Sequence, residues 1–318
     1  MRIARLAAAA ALCIAATAAA QYPSRPVRIV VTIPPGGAPD IVARVIAEKL
    51  TPTLGRPVVV ENRPGSNGNI AAEHVARSAP DGHTLLLSGD SLLVINPHLY
   101  RRMPVDVRRE LVPVAPLAWA MFVLSVNPAL PVSNLQEFIE YARRADPPLA
   151  YASGGNGSQH HLTMERLKQR AGIPLLHVPF KGGAPATAAT VAGETAAMFA
   201  STSSMPQIRA GRLRALAVTG ATRLAAFPEL PALREFFPGF EMTVWLALFA
   251  HEGTAPPVLA RLREVLAATL AAPDVQERFE RAGGLRPLLA SPDEFAAMIE
   301  RDYAEYGALI ERIGLRID

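Results

Sequence analysis

Cysteine is almost missing from this 318-residue chain, and Cys13, the only one, sits in an apolar run near the N-terminus. Arg2 and Arg5, the apolar residues 6–16 and the small residues Ala18, Ala19 and Ala20 read as a secretory leader over 1–20, cleaved before Gln21. Leu12 directly before Cys13 fits a lipid-attachment site poorly, so the expected product is soluble. Without the leader no cysteine remains, which excludes disulfides, thiolate catalysis and cysteine-ligated metal. An exported, cysteine-free chain of this size fits the bacterial periplasm.

Other absences narrow the function. The apolar run of the leader is too short for a membrane span. No run of Lys or Arg alternates with aromatics, which make up only 6% of the chain, so nucleic acid is not an expected partner. Two of the four net positive charges, Arg2 and Arg5, leave with the leader. There is no Gly-x-Ser-x-Gly elbow for a nucleophilic serine and no His-Glu-x-x-His pair for zinc. No fixed-period repeat occurs. No cofactor is implied.

Glycine and proline, by contrast, are plentiful, and they recur at one kind of place. An apolar strand over 28–33 runs into Pro34-Pro35-Gly36-Gly37-Ala38-Pro39-Asp40 and then a helix over about 39–50. A strand over 57–61 ends in Asn62-Arg63-Pro64-Gly65-Ser66-Asn67-Gly68-Asn69 before a helix over about 70–78. A strand over 149–152 enters Ser153-Gly154-Gly155-Asn156-Gly157-Ser158 before a helix over 162–171. A strand over 175–179 enters Phe180-Lys181-Gly182-Gly183-Ala184-Pro185, again before a helix. Further strands are expected over 83–88, 195–200 and 214–218, the second closed by Ser201-Thr202-Ser203-Ser204. Strands alternating with helices imply an α/β fold with parallel sheet. Ligands of such sheets bind beyond the carboxyl ends of the strands, where amides at helix starts attract anions. Ser158 and Ser133 are candidate helix caps, the latter with Gln136 as a capping box, and Ser291 with Glu294 makes another ahead of a helix over 292–313.

Two long apolar stretches, 112–126 and 243–250, read as segments crossing between two lobes. The chain then divides into a leader (1–20), a first lobe (21–120 plus 247–318) and a second lobe (121–246).

Several ordered stretches resemble the extracytoplasmic solute receptors of the tripartite tricarboxylate transporter type, the Bug family. They are 34–44 (PPGGAPDIVAR), 61–70 (ENRPGSNGNI), 79–85 (APDGHTL), 151–162 (YASGGNGSQHHL), 177–182 (HVPFKG) and 211–217 (GRLRALA). The resemblance implies a two-lobed, Venus-flytrap periplasmic binding protein of type II with two crossing hinge strands. It implies a monomer that holds a small carboxylate by loop amides, hydroxyls and water, for a membrane permease or a sensor. Carried over by position, the ligand-binding residues are Gly37, Ala38, Asp40, Gly68, Asn69 and Ser88 in the first lobe. In the second they are Gly155, Asn156, Gly157, Ser158, His161, Phe180, Lys181, Gly182, Pro185 and Ser201, with Trp245 on the returning segment.

Several of these residues have a second reading. Asp40 is a loop-shaping cap or, with an amino-acid ligand, the partner of an ammonium group. Trp245 is hinge packing or a cleft wall, Lys181 an anion contact or a solvated rim lysine, and His161 a structural or a cleft-lining residue. Phe180, Ala196 and Ala200 stand where the family often has polar groups, and His251 where it often has proline. Those departures leave two ligand classes open, an aliphatic carboxylate and a less polar or partly aromatic acid. The competing function is an exported, hydrolase-like enzyme acting on a small anion, with Ser158 beside His160 and His161 as its only hint.

Overall fold

The computed structural model describes residues 22–317, so the expected leader with Cys13 lies outside the described residues. Strand β1 (Val27–Val31) buries every side chain but Arg28, as its β-branched run predicts. Helix α1 (Ala38–Leu54) follows the Pro-Gly loop and buries Val42, Val45, Ile46 and Leu50 at helical spacing. Gly55 ends it in the left-handed conformation, which a side chain would resist. Next come β2 (Val58–Asn62), α2 (Asn69–Ala76) and β3 (Thr84–Gly89). Three one-turn helices, α3 (Ser91–Val94), α4 (Asn96–Leu99) and α5 (Val107–Glu110), lead into β4 (Leu111–Ala120).

The chain crosses at Met121 and Phe122 into β5 (Val123–Val126) and α6 (Leu135–Arg144). Asn134, not Ser133, caps α6: its side-chain oxygen accepts from the Glu137 amide at 2.9 Å. The helix begins one residue late because Leu135, Phe138, Ile139 and Ala142 form its buried face. Strand β6 (Leu149–Ser153), helix α7 (Gln159–Ala171), β7 (Leu175–Pro179), helix α8 (Gly183–Ala192), β8 (Ala197–Ala200), α9 (Met205–Arg209) and β9 (Arg214–Val218) complete this part. The return strand is β10 (Val244–His251). After it come α10 (Pro256–Ala271), α11 (Pro273–Ala282), the short β11 (Leu285–Pro287) and α12 (Pro292–Ile313), with Ser291 and Glu294 forming the expected capping box.

These strands build two sheets, one ordered β11-β4-β10-β3-β1-β2 and the other β7-β6-β8-β5-β9. β1 lies parallel between β2 and β3, while β10 runs antiparallel to both β3 and β4, so the first sheet is mixed rather than parallel. The cause is connectivity: β10 comes back from the other sheet and enters from the opposite end. At the crossing the Phe122 amide donates to Thr219 Oγ1 at 3.0 Å, and the Thr219 amide donates back to the Phe122 carbonyl at 3.0 Å. The two crossing segments are thus tied to each other. β11 pairs only with residues 118–120 of β4. Along the rest of that edge Arg263 donates to the carbonyls of Val114 and Pro113 at 3.0 and 3.1 Å. Among the described residues, no helix is long and apolar enough to cross a membrane.

Candidate functional site

Six loops lie at the carboxyl ends of β1, β2, β3, β6, β7 and β8, and they carry nearly all the expected site residues. In the first lobe the β1–α1 loop is shaped by Asp40, whose side chain is almost fully buried. Its Oδ2 accepts from the Gly36 amide at 2.9 Å and from Arg44 Nε at 3.0 Å, and its Oδ1 accepts from Asn62 Nδ2 at 2.9 Å. Burial raises its pKa, but Arg44, Gly36 and Asn62 outweigh that and hold the carboxyl below its ordinary value. Asp40 therefore braces the loop, and its oxygens are taken. The N-cap itself is Gly37, which brings no side-chain cap and sits so close to Ile33 that a Cβ would meet Ile33 Cδ1 at 2.2 Å. Ala38 follows as the first helical residue, 9% exposed.

The second loop is tighter still. Ser66, Asn67 and Gly68 all have positive φ, and a Cβ on Gly68 would lie 3.0 Å from Thr32 Cγ2. Asn69 is buried, its Oδ1 accepting from Asn96 Nδ2 at 2.9 Å, and Asn96 also donates to the Asn67 carbonyl. Ser88 is buried within β3 and donates to the Gly89 carbonyl at 3.0 Å. These two side chains hold the wall together from behind. Trp245 does the same: it is fully enclosed, edge-on to Phe295, with its indole N–H donated to Asp302 at 2.9 Å. In this structure its indole is packed between β10 and α12.

In the second lobe the β6–α7 loop is folded by backbone and serine contacts. The Ser153 hydroxyl donates to the Gly155 carbonyl, accepts from the Gly155 amide, both at 3.1 Å, and lies 2.6 Å from His177 Nε2. Ser158 caps α7, accepting from the His161 amide at 3.3 Å. Asn156 is exposed at the loop tip. Gly157, at φ +71°, touches the other lobe: a Cβ there would lie 2.2 Å from Leu99 Cδ1.

The first turn of α7 sends three consecutive side chains in three directions. Gln159 reaches the first lobe. Its Nε2 donates to Asp90 Oδ1 at 2.6 Å and its Oε1 accepts from the Tyr306 hydroxyl at 3.1 Å. Asp90 is fully buried at the end of β3, and burial, with the nearby Asp302, pushes its carboxyl well above the ordinary range. His161 turns into the second lobe. Its Nδ1 accepts from the Gly157 amide at 3.1 Å, which leaves the ring proton on Nε2, 4.0 Å from Glu165. Its ring stacks on His177 at 3.9 Å, and Glu165 also accepts from Tyr151 and Lys168. His161 is thus buried, with its Nδ1 engaged by the loop backbone. Between them His160 faces the loops: its ring lies 4.8 Å from Phe122, and a Cβ on Gly183 would be 3.8 Å from its Nε2. That Nε2 is sealed from solvent without a partner among the described residues, and burial takes the ring pKa down to about 4.

The β7–α8 loop starts with Phe180, half-buried, whose amide donates to the Ser153 carbonyl at 3.0 Å. Lys181 is exposed at the rim. Gly182, at φ +112°, is the N-cap of α8 and leaves the helix start without a side-chain cap. Pro185, in the first turn, has no amide hydrogen to offer. Ser201, half-buried at the end of β8, pairs with Ser203 at 3.1 Å, and its Oγ would lie 3.6 Å from a Cβ on Gly183. The sequence singles out neither Asp90 nor Gln159, and it offers His160 only beside Ser158 as a hydrolase hint. Only pairing across more than sixty residues identifies the first two, and only the facing of a helix turn separates His160 from His161.

Two surface cavities, about 610 and 560 Å³, lie elsewhere, one against α6 and one between β4, α10 and the start of α12. Neither gathers donors as the six loops do. Among the described residues no three His, Cys, Asp or Glu side chains group as metal ligands.

Comparison with known proteins follows the same geometry. Residues 42–315 match the family described as tripartite tricarboxylate transporter family receptor. The protein BugT of Bordetella pertussis is 35% identical over 93% of this chain and 91% of its own. The solved structure of R. palustris Rpa4515 with adipate superposes with a TM-score of 0.88 at 32% identity, covering 93% of this chain and 99% of that one. MatC from Rhodopseudomonas palustris with bound malate gives 0.81 at 29% identity, covering 91% and 100%. The fold is the two-sheet α/β architecture of those periplasmic binding proteins.

Proposed function

The chain belongs to the tripartite tricarboxylate transporter receptor family, and from that premise we propose that it is a periplasmic receptor for a small carboxylate. The acid is held between two lobes by loop amides, hydroxyls and water. Delivery is to a membrane permease of the same transporter type, or to a sensor. The lobes are residues 21–120 with 247–318, and 121–246; residues 1–20 are removed on export, and the receptor works as a monomer. The observation that carries this reading is two sets of parallel strand ends, one in each sheet, joined by Gln159 and Asp90 at 2.6 Å and followed by the uncapped helix starts of α1, α2 and α8. Relatives that bind adipate and malate at this level of similarity support it.

Such a receptor needs no arginine clamp. Free amides at a helix start, aided by the helix dipole, attract a carboxylate and release it readily. Arg44 and Arg63 stay with Asp40 and Glu61, so they neutralise the wall rather than seize the ligand. The expected motion is lobe closure about the 121–122 and 219–243 segments.

The protein is, on this reading, no enzyme. The contact that a hydrolase would build on is Ser153 with His177 at 2.6 Å, yet Ser153 is fully buried and engaged with Gly155. Ser158, the other candidate, caps a helix and meets a backbone amide rather than an imidazole base. Mass spectrometry of ligand released from the purified protein decides between the two. An unmodified acid at one per chain is expected; product accumulating with turnover sinks the receptor reading.

A further inference from the structure

The loop that opens α7 is held by two histidines that stack on each other. His161 reaches back from the first helical turn, and its Nδ1 accepts from the Gly157 amide at 3.1 Å. His177 comes from β7, and its Nε2 lies 2.6 Å from the Ser153 hydroxyl. That hydroxyl has one hydrogen, which goes to the Gly155 carbonyl, so His177 is the donor of the pair. The two rings lie 3.9 Å apart and 5° from parallel, and Tyr151 stacks on His177 at 5.0 Å.

A proton acts differently on the two contacts. An imidazolium still donates Nε2–H, so the Ser153 contact survives charging of His177. His161 Nδ1 accepts only while it is unprotonated; a proton there sets N–H against the Gly157 N–H and breaks the contact. Burial keeps His161 below its ordinary pKa, against the pull of Glu165, 4.0 Å from Nε2, and with the aid of Lys168. Glu165 is itself engaged by the Tyr151 hydroxyl at 2.6 Å and by Lys168 at 2.7 Å. Burial and the neighbouring His161 take His177 down to about 4.

Gly157 is the residue that this contact holds. It stands at φ +71°, and a Cβ there would meet Leu99 Cδ1 at 2.2 Å and Ile317 Cδ1 at 3.4 Å, both in the proposed first lobe. The bond from His161 thus fixes how the 154–158 loop stands against the opposite jaw. We propose that His161 is a positioning residue for ligand capture: it sets this loop through the Gly157 amide, without touching the acid, and releases the loop when its Nδ1 takes up a proton. The assignment rests on the receptor reading above and makes the grip of the second lobe sensitive to pH.

The test is a calorimetric titration of the full protein with adipate, malate, hexanoate and benzoate, the probe being the acid that wild type binds most tightly. His161→Asn puts an oxygen where Nδ1 stands and does not titrate, whereas His161→Gln puts its polar atoms near Nε2 and misses Gly157. Near neutral pH, His161→Asn is expected to stay within about threefold of wild type and His161→Gln to weaken by about tenfold. Both variants lose the stack on His177, so their melting temperatures should fall together; a merely structural histidine would make their affinities fall together too. Between about pH 7 and 5, wild-type affinity should decline more steeply than that of His161→Asn, because titration of the acid and of the other histidines is common to both. In ligand-free wild type, the NMR signal of the Gly157 amide should move with the same midpoint as the His161 ring. Equal affinity of the two variants, parallel pH profiles, or an amide that does not follow the ring overturns the role of His161 alone. A wild type that binds none of the acids overturns the receptor reading, and with it the part of His161 in capture.

Discussion

The two jaws of the site are built on opposite plans. In the first lobe side chains fasten the loops from behind: Asp40 holds Gly36, Arg44 and Asn62, and Asn69 is locked to Asn96. In the second lobe the loops are turned by glycine and by hydroxyls close at hand, Ser153 on Gly155 and Ser158 on the His161 amide, and His160 Nε2 has no partner among the described residues. Buried polar atoms without a partner occur in both, Asp90 Oδ2 and Asn96 Oδ1 in the first and His160 Nε2 in the second. The difference separates two tasks that the residue types alone do not distinguish. On the proposed function, the first-lobe side chains brace a wall, and the uncapped helix starts offer amides that a ligand completes.

Four experiments can break or sharpen that contrast. The largest effect is expected at Gly157, where the second jaw meets the first. Gly157→Ala forces a side chain onto a backbone at φ +71° and drives a methyl into Leu99. The strain and the overlap together should cost about 3 kcal/mol in urea unfolding. Ligand affinity should fall as well, because the lobes can no longer approach. A variant as stable and as tight as wild type would mean that the two jaws do not work in contact.

Asp40→Ala comes next. It strands Arg44 and Asn62 and frees Gly36, so a loss of about 2 kcal/mol is expected in the same measurement. Because the folded pKa of Asp40 is lowered, its contribution is present above the ordinary carboxylate range and disappears as pH falls through the folded value. Equal stability of Asp40→Ala and wild type at pH 7 would remove the brace from the account. Ser158→Ala should cost about 1 kcal/mol, the usual value of an N-cap, with affinity changed less than stability. A large loss of affinity with no loss of stability would move Ser158 from the scaffold to the ligand.

The gentlest test is a pH series. His160 and His177 have folded pKa values near 4, below that of an unfolded histidine, so the unfolded chain binds more protons. Stability should therefore decline as pH falls from about 6.5 toward 4. Asp90 acts in the other direction: its folded pKa is raised, so its contribution is present at low pH and is lost as pH rises above the ordinary carboxylate value. Asp90→Asn should flatten that second arm and leave the histidine arm unchanged. An unaltered profile would mean that Asp90 is charged in the folded protein.

The alternation of strands and helices made the α/β class legible, and glycine after β1, β2, β6 and β7, joined by proline after all but β6, marked the loops. The capping box at Ser291 and Glu294 was legible because it is local. What stayed hidden is what depends on distant partners. Asp90 and Gln159 are 69 residues apart, and Gln159 and Tyr306 are 147 apart, so neither pairing has a local signal. His160 and His161 are neighbours of one type, and only the 100° step of the helix decides that one faces the loops and the other faces Glu165. Trp245 in an apolar strand could face either way until Asp302, 57 residues later, took its indole N–H. The helix α11 and the strand β11 were missed because both are short and polar beside the long apolar runs.

The outer edge of β4 has a consequence for the protein among its own copies. A strand edge with free carbonyls and amides is a template on which another chain can pair and begin to aggregate. Here Pro113 and Pro116 bring no amide hydrogen, and Arg263 occupies the carbonyls of Pro113 and Val114. β4, the longest strand among the described residues, thus presents an edge with few groups on which a neighbour's strand can pair. The chain can stay dispersed among its copies because one arginine and two prolines blunt the sheet beyond the reach of β11.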